Sequence, residues 1–321
     1  MKTCMSTLRE SRSLYSAALR RLADSKKFPT RVFFDRTELT QKRRELFARM
    51  SISGVQDKFS LVLRRGKLKL VETGGEYILK PVSAGNVLDR FDEEVPANEH
   101  VSMQIAEQIY GVKTATNALI FLNDNELAYI TRRFDRKGAT KIAQEDFAQL
   151  LGTSESDGRN YKYDKSYEEI ADGIDRYCAA KTITKEMFFR QLVYCYLIGN
   201  GNAHLKNFSV TMTTDGDYML SPAYDLLNTR LHLPYDTSLA LSLLAEDGIT
   251  KGEETVGVIL GSDFQQFGER IGIRPDRVEK IRSQIRWNSE ADQLLKKSFL
   301  SDAARDEFRR IAVANDEMLG Q

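Results

Sequence analysis

The chain of 321 residues has few cysteines and histidines, the residues that build disulfide frameworks and zinc sites. Its three cysteines are odd in number, far apart and without a Cys-x-x-Cys pair, and its three histidines lack the spacing of a ligand set. These patterns argue against a disulfide-stabilised fold and against a zinc hydrolase. We expect buried thiols at Cys4, Cys178 and Cys195.

The sequence also lacks a long apolar run. No stretch approaches the roughly 18 consecutive apolar residues that cross a bilayer, and residues 1–20 carry charges where a signal peptide has an apolar centre. Internal repeats and low-complexity tracts are absent from the sequence. We therefore predict a cytoplasmic protein with no membrane partner.

Positive charge is concentrated at the start of the chain. The net charge is +1, yet residues 1–50 hold 13 Lys/Arg against 5 Asp/Glu. Such a basic segment can meet nucleic acid, an acidic protein or the chain's own acidic surface, and charge alone does not choose among them.

The hydrophobic pattern changes along the chain from strands to helices. After residue 51, "FSLVLRRGKLKLV", "EYILKP" and "NALIFLNDNELAYITRRFDR" predict short antiparallel strands, and a helix is predicted to start near Pro96. Beyond Asp135 the pattern is mostly helical, with three amphipathic segments after residue 260. This order predicts an α+β, two-lobed fold: a basic helical extension at 1–50, a β-rich lobe at 51–131 and a helical lobe at 132–321.

Polar residues at spaced positions suggest phosphoryl transfer. In "LIGNGNAHLKNFSV", Asn202 and Asn207 are separated as the Asp and Asn of a kinase catalytic loop are, and Asp225 follows 18 residues later. Lys80 ends a predicted strand and Glu99 lies in the next helix, as in the ion pair that grips phosphates in kinases. Each feature alone has an ordinary explanation, since strand lysines extend to solvent and acidic residues favour helix starts.

Taken together, these motifs resemble one known family, the HipA-type serine/threonine kinase toxins of bacterial toxin-antitoxin modules. The carriers of the resemblance are "SISGVQDK", "YILKP", "NEH", "RRFDR", "GNGNAHLKNFS" and "SPAYDL", in family order. The Ser-Ile-Ser in the glycine loop and the short leader before Ser51 resemble the compact HipT variant.

The resemblance implies an α+β protein-kinase-like fold that uses ATP and Mg²⁺. It makes Asn202 the position of the catalytic Asp, Asn207 and Asp225 the metal ligands, and Glu99 a supporting residue. The implied ATP-binding residues are Ser53, Gly54, Val55, Gln56, Asp57, Lys58, Lys80, Arg132, Arg133, Phe134, His204, Leu205, Lys206, Asn207 and Tyr224.

The same resemblance makes Ser51 and Ser53 autophosphorylation sites. A phosphate on the loop that cradles ATP would repel the nucleotide, so the modification would act as a switch. The simpler interpretation is that both hydroxyls only form hydrogen bonds within the turn.

Asn202 departs from the family pattern, because an amide cannot accept a proton at neutral pH. Loss of a general base typically costs ~10² to 10⁴ in rate. The chain is either a natural pseudokinase or a kinase whose base was replaced to spare the producing cells. We favour the second explanation, because the other family positions are intact.

The resemblance further implies a toxin that phosphorylates an aminoacyl-tRNA synthetase, with HipT pointing to the tryptophanyl enzyme, and so arrests translation. The implied partners are a HipS-like small antitoxin and a HipB-like DNA-binding antitoxin, with DNA reached only through the latter. A pseudokinase that binds ATP and a partner, and a small-molecule or lipid kinase, are the alternatives.

Overall fold

The computed structural model describes residues 2–11, 19–24, 28–47, 57–83, 88–138, 140–245 and 249–321. Ser51 and residues 53–56 of the predicted ATP loop lie outside the described residues.

Within the described residues the strands of the main sheet precede most of the helices, as predicted, but residues 1–50, predicted to be helical, also contain two short strands. The strands are β1 (Lys2–Thr3), β2 (Glu10–Ser11), β3 (Phe59–Arg64), β4 (Lys67–Leu70), β5 (Tyr77–Lys80), β6 (Asn117–Phe121), β7 (Leu127–Arg132), β8 (Arg136–Lys137), β9 (Thr140–Lys141), β10 (Gln144–Asp146), β11 (Ser209–Met212) and β12 (Tyr218–Leu220). The α-helices are α1 (Leu19–Ala23), α2 (Arg36–Phe47), α3 (Val95–Gln108), α4 (Phe147–Leu150), α5 (Tyr167–Tyr177), α6 (Lys181–Leu197), α7 (Lys251–Val256), α8 (Gly261–Arg270), α9 (Pro275–Gln284), α10 (Ser289–Lys296) and α11 (Asp302–Leu319).

A five-stranded antiparallel sheet with the order β4-β3-β5-β7-β6 forms the first half of the fold. The β3–β4 connection is the two-residue turn Arg65-Gly66, in which both residues have positive φ, 52° and 74°. That backbone is the one that matches the twist of a tight hairpin. The predicted hairpin of β6 and β7 is also present and turns through Asn125 at φ 72°.

The N-terminal residues cover one edge of this sheet. The backbone N–H of Leu119 in β6 donates to the carbonyl of Met5 at 2.8 Å, and that of Val32 donates to Phe121 at 2.9 Å. Apolar side chains of the segment, Met5, Leu22, Phe28, Val32 and Leu39, are buried in the core under the sheet. An open strand edge invites pairing with other chains, so the segment protects it.

Basic residues of this segment bind the chain's own surface. The Arg21 guanidinium lies 2.6 Å from Glu107, and the Arg31 guanidinium donates to Leu122 O and Asn125 Oδ1, both at 2.6 Å. Charge alone left nucleic acid, an acidic protein and the chain's own surface open as partners of the segment. For Arg21 and Arg31 the structure shows the chain's own surface as the partner.

Helix α3 lies between the sheet and the helices that follow it. Its residues from Pro96 to Ala106 are all buried, on every face, because β6 and β7 pack on one side and α10 on another. The Asn98 amide ties the helix to the second half of the chain: its Nδ2 donates to Asn228 O at 2.9 Å and meets His232 Nε2 at 2.8 Å. Its Oδ1 accepts from Asn228 N at 3.1 Å.

The second half of the chain is mainly helical and is built around α6. Helices α5, α9 and α11 pack against α6, and their apolar residues form a core that also includes the buried side chains of α3. Four helices, α8 to α11, follow residue 260 where three were predicted, because Pro275 is the first residue of α9 and Asn288 caps the start of α10. A three-stranded sheet of β10, β11 and β12 was not predicted. Within the described residues no helix is both long and apolar enough to cross a bilayer.

Burial of His100 in α3 makes stability depend on pH. Burial lowers the pKa of His100 to about 3 from its usual 6.5, so the folded chain keeps this ring neutral while the unfolded chain protonates it. The neutral ring therefore contributes fully to the free energy of unfolding above about pH 6.5. This contribution falls by about 2 kcal/mol between pH 7 and pH 5. We expect His100→Gln to lose less stability than the unchanged chain between these pH values in urea titrations. Equal losses would contradict the linkage.

Candidate functional site

Lys80, Glu99 and Asp225 meet at the junction of the two halves. Lys80 ends β5, Glu99 lies on the first turns of α3, and Asp225 follows β12. The Lys80 Nζ lies 2.5 Å from Glu99 Oε1 and 2.5 Å from Asp225 Oδ1. The other Asp225 oxygen, Oδ2, accepts from Lys58 Nζ at 2.8 Å. We call these four residues the ion cluster.

Two members of the ion cluster, Lys80 and Glu99, are shielded from water, whereas Lys58 is half exposed and Asp225 partly exposed. Lys80 is 2% exposed and Glu99 is 1% exposed. Burial alone would lower the pKa of Lys80, but the Asp225 and Glu99 carboxylates raise it and keep the ammonium charged. Burial alone would raise the pKa of Asp225, but Lys58 and Lys80 hold it far below its usual range. Burial, with Asp225 close by, raises the pKa of Glu99.

The predicted catalytic loop connects α6 to β11. Its last residues, Leu205–Asn207, form a 3-10 turn in which the His204 N–H donates to Asn207 Oδ1 at 3.2 Å. Pairing of β11 with β12 places this turn beside Asp225, and the neighbouring Tyr224 hydroxyl donates to Lys206 O at 2.8 Å. The β11–β12 hairpin therefore joins two motifs that are separate in sequence.

Gly201 occupies a tight position in the same loop. A Cβ there would lie 2.3 Å from the Thr237 carbonyl oxygen and 2.5 Å from Asp236 Oδ2. Only glycine fits this approach, which explains the Asn-Gly-Asn sequence before His204.

Asn202 is partly exposed, and its side chain has a partner that sequence reasoning missed. The Tyr163 hydroxyl donates to Asn202 Oδ1 at 3.0 Å. Tyr163 ends the 3-10 turn Tyr161–Tyr163, which lies against the turn of the catalytic loop. The alternation of aromatic and basic residues in "YKY", within a polar stretch, was the available signal.

His204 forms an uncharged wall of the site. Its side chain is 7% exposed, and its ring meets that of Tyr163 edge to face with 5.2 Å between centroids. Burial, reinforced by the Lys162 charge, lowers the pKa of His204 to about 3. The ring is therefore neutral at physiological pH.

In the predicted hinge, Arg132 to Phe134, the side chains of both arginines form ion pairs with acidic residues of the chain. Arg132 pairs with Asp24 of the N-terminal segment, and Arg133 binds Asp135 through two hydrogen bonds of 2.8 and 2.5 Å. Neither guanidinium is directed by these contacts towards the ion cluster.

Phe134 is the hinge side chain that reaches towards the catalytic loop. Its ring packs against that of Tyr224, with 5.7 Å between centroids, and Tyr224 directly precedes Asp225. Leu205 is buried and belongs to the core. Phe134 and Tyr224 thus form the aromatic part of the site.

Asn207 and Asp225 carry the oxygen atoms that the resemblance predicts as metal ligands. An ionised carboxylate and an amide oxygen suit Mg²⁺, which usually keeps waters and binds substrate phosphates as well. In the described part of the chain, no group of three or more His, Cys, Asp or Glu residues could hold a metal by itself. A divalent ion at Asp225 would compete with Lys58 for the Oδ2 oxygen.

Removing the central charge of the ion cluster should destabilise the fold. In Lys80→Met the buried Glu99 carboxylate would lose its cation, and Asp225 would keep only Lys58. Breaking a buried ion pair typically costs about 3–5 kcal/mol. Glu99→Gln should cost less, because Lys80 keeps Asp225. The control is Lys69→Met, which removes an exposed lysine from the same sheet. Urea denaturation would contradict this prediction if Lys80→Met and Lys69→Met were equally stable.

Comparison with known proteins gives the family of the chain. Residues 50–292 match the family model described as the HipA-like C-terminal domain. A Haemophilus influenzae protein named as a candidate kinase is 32% identical over 316 residues, covering 91% of this chain and 88% of that protein. The serine/threonine-protein kinase toxin HipA of Shewanella oneidensis is 24% identical over 213 residues, 61% of this chain and 47% of that protein. The chain thus spans most of the first relative and about half of the second.

Two solved structures share the fold. HipA of Shewanella oneidensis, determined in complex with HipB and its operator DNA, superposes with a TM-score of 0.62 and 19% identity over 92% of this chain and 72% of that chain. The Helicobacter pylori proinflammatory kinase CtkA superposes with a TM-score of 0.50 and 14% identity over 85% of this chain and 94% of that chain. The α+β kinase-like fold predicted from the sequence is therefore confirmed. From the match over residues 50–292 and the similarity to most of the Haemophilus protein, the chain belongs to the HipA-like kinase family.

Proposed function

We propose that this chain has the structure of an ATP-dependent serine/threonine protein kinase of the toxin type, with its general base replaced by Asn202. The observation that carries the proposal is the contact of Lys80 with Glu99 and Asp225, within the ion cluster and beside the turn that ends at Asn207. A buried lysine held by a helix glutamate and a second acidic residue is the arrangement with which kinases grip ATP phosphates and Mg²⁺.

Each part of the site has a role in this proposal. Lys80 binds the phosphates of ATP, while Phe134 and Tyr224 hold the adenine ring. Asn207 and Asp225 hold Mg²⁺, which neutralises phosphate charge when bound. In the transfer, the seryl oxygen forms a bond to the γ-phosphorus, the bond from this phosphorus to the β-phosphate oxygen breaks, ADP leaves and the seryl proton goes to a base.

Asn202 lies where that proton would be accepted. Its Oδ1 already accepts the Tyr163 hydroxyl hydrogen, and an amide oxygen is too weak a base to take the seryl proton. ATP binding does not depend on this proton, because Lys80 and Asp225 are in place. The chain should therefore bind ATP but transfer its phosphate slowly.

Asn202→Asp should raise the transfer rate by ~10² to 10⁴, the usual contribution of a general base. The intact mass, measured before and after incubation with Mg²⁺ and ATP, should rise by whole phosphate groups in the variant and remain unchanged in the chain itself. The double variant Asn202→Asp with Asp225→Asn is the control that keeps the base and removes a metal ligand.

The pseudokinase is the second candidate, and Asn202 itself favours it. Labelled ATP distinguishes the two: if Asn202→Asp labels neither itself nor any lysate protein but still binds ATP, the pseudokinase stands and the kinase fails. If neither the chain nor the Asn202→Asp variant binds ATP, the kinase proposal and the pseudokinase proposal are both wrong.

The finer biological assignments belong to the same proposal. We infer a HipT-like cytoplasmic toxin whose acceptor is an aminoacyl-tRNA synthetase, the tryptophanyl enzyme in particular. Ser51 and Ser53 would be its autophosphorylation sites. Lys58 lies a few residues after these serines and bonds Asp225, which supports a link between this segment and the site.

The proposed partners are a HipB-like DNA-binding antitoxin and a HipS-like small antitoxin. The support is that the similar Shewanella HipA was determined with HipB and operator DNA. Within the described residues, the edge strand β4 has no neighbour on its outer side, in contrast to the covered edge at β6. We expect the small antitoxin to cover the sheet half of the fold.

Affinity capture with the tagged chain should recover the products of the neighbouring genes. Capture should persist in Asn202→Asp, because neither antitoxin needs the catalytic base in order to bind. If neither small protein is recovered from cells that express all the neighbouring genes, the partner assignment is wrong while the kinase proposal is unaffected.

A further inference from the structure

The turn Tyr161–Tyr163 is fastened to both ends of the catalytic loop. At one end the Lys206 ammonium donates to the Tyr161 hydroxyl at 3.0 Å and lies 5.6 Å from the centre of its ring. At the other end the Tyr163 hydroxyl donates to Asn202 at 3.0 Å. The middle residue of the turn, Lys162, is thereby held next to the position of the catalytic base.

The Lys162 ammonium lacks a counter-ion within the described ranges. Its charge lies 5.1 Å from the centre of the Tyr163 ring, and no hydrogen bond or ion pair of the described residues uses it. Lys165, three residues later, is different, since it pairs with Glu169 at 3.0 Å. A partly buried charge without a partner is unfavourable, so Lys162 is suited to receive an anion.

Other cations surround Lys162. Burial is the main cause that lowers the pKa of Lys162, and the charges of Lys206 and Lys58 lower it further. The charges of Lys162 and Lys58 also both lower the pKa of the neighbouring His204 ring. The turn Tyr161–Tyr163 contacts the turn Leu205–Asn207, and Lys58 bonds Asp225, so these cations lie around the same site. Lys58 has Asp225 as its partner, and Lys206 has the Tyr161 hydroxyl.

We propose that Lys162 binds the non-bridging oxygens of the terminal phosphate of ATP, an inference that rests on the proposed kinase function. The contact of Tyr163 with Asn202 places Lys162 at the reacting end of the site, whereas Phe134 and Tyr224 mark the adenine end. Lysine is a common phosphate ligand, and charge on the transferred group is what the site must stabilise. Lys162 is a catalytic residue in this proposal, and Tyr163 is a positioning residue.

The simpler interpretation is that Lys162 only covers the Tyr163 ring with its aliphatic stem and ends in solvent. It predicts no effect of Lys162 on nucleotide binding. The two interpretations therefore differ in a measurement that does not depend on catalysis.

The experiment compares the affinities of Mg²⁺-ATP and Mg²⁺-ADP by calorimetry in this chain, in Lys162→Met and in Lys165→Met. Losing one charged contact to a phosphate should weaken ATP binding by roughly tenfold or more, while ADP binding, which lacks the terminal phosphate, should change by less than about twofold. Lys165→Met should change neither affinity, and Lys162→Arg should restore much of the preference for ATP.

Three results would overturn the inference in different ways. If the unchanged chain binds neither nucleotide, the proposed function fails and the inference fails with it. If the chain binds ATP but Lys162→Met keeps the same ratio of ATP to ADP affinity, only the Lys162 inference fails. If, in the Asn202→Asp background, Lys162→Met raises only the KM for the protein acceptor, Lys162 contacts the acceptor instead of ATP.

Discussion

The salt bridge from Lys80 to Glu99 and Asp225 is the interaction on which the rest of the site depends. It joins a strand, a helix and a loop that are separated by 19 and 145 positions in the chain. Two buried or partly buried carboxylates around one ammonium are tolerable only because the second lysine, Lys58, balances the charge. The cluster holds its members in place and is at the same time the feature that phosphates and Mg²⁺ would engage.

Helix α3 supports this cluster because it is packed on all sides. A surface helix would allow Glu99 to swing into water, but here the helix fills the space between the sheet and the helical core. The Asn98 amide, one residue before Glu99, fixes the helix to Asn228 and His232 beyond Asp225. The same packing explains why the His100 ring is neutral, so the pH dependence of stability and the geometry of the site have one structural origin.

In the proposed function, a single atom at position 202 changes the chemistry of the site without changing its shape. Asn202 accepts the hydrogen bond from Tyr163 that an Asp would also accept, so under this proposal the amide fits the loop but supplies no proton acceptor. The turn Tyr161–Tyr163 then becomes more than a connection between α4 and α5. It bonds the side chain at position 202 and holds Lys162, a cation without a counter-ion in the described part of the chain, where we propose that the terminal phosphate of ATP binds.

The sequence by itself determined the local elements and the order of the motifs. Alternating apolar residues and the Arg-Gly turn specify the β3–β4 hairpin, and the spacing from Asn202 to Asn207 predicts the catalytic loop, because these signals lie within a few neighbouring residues. Only the tertiary structure decided which polar and charged groups meet: Lys58 with Asp225, Tyr163 with Asn202, and the basic N-terminal segment with the chain's own surface. Such contacts join residues that are 39 to 167 positions apart, and hydrophobic periodicity carries no information about partners at that distance. The separation of α8 to α11 into four helices and the β10–β11–β12 sheet were missed for a related reason, since short elements form only when neighbouring elements bury them.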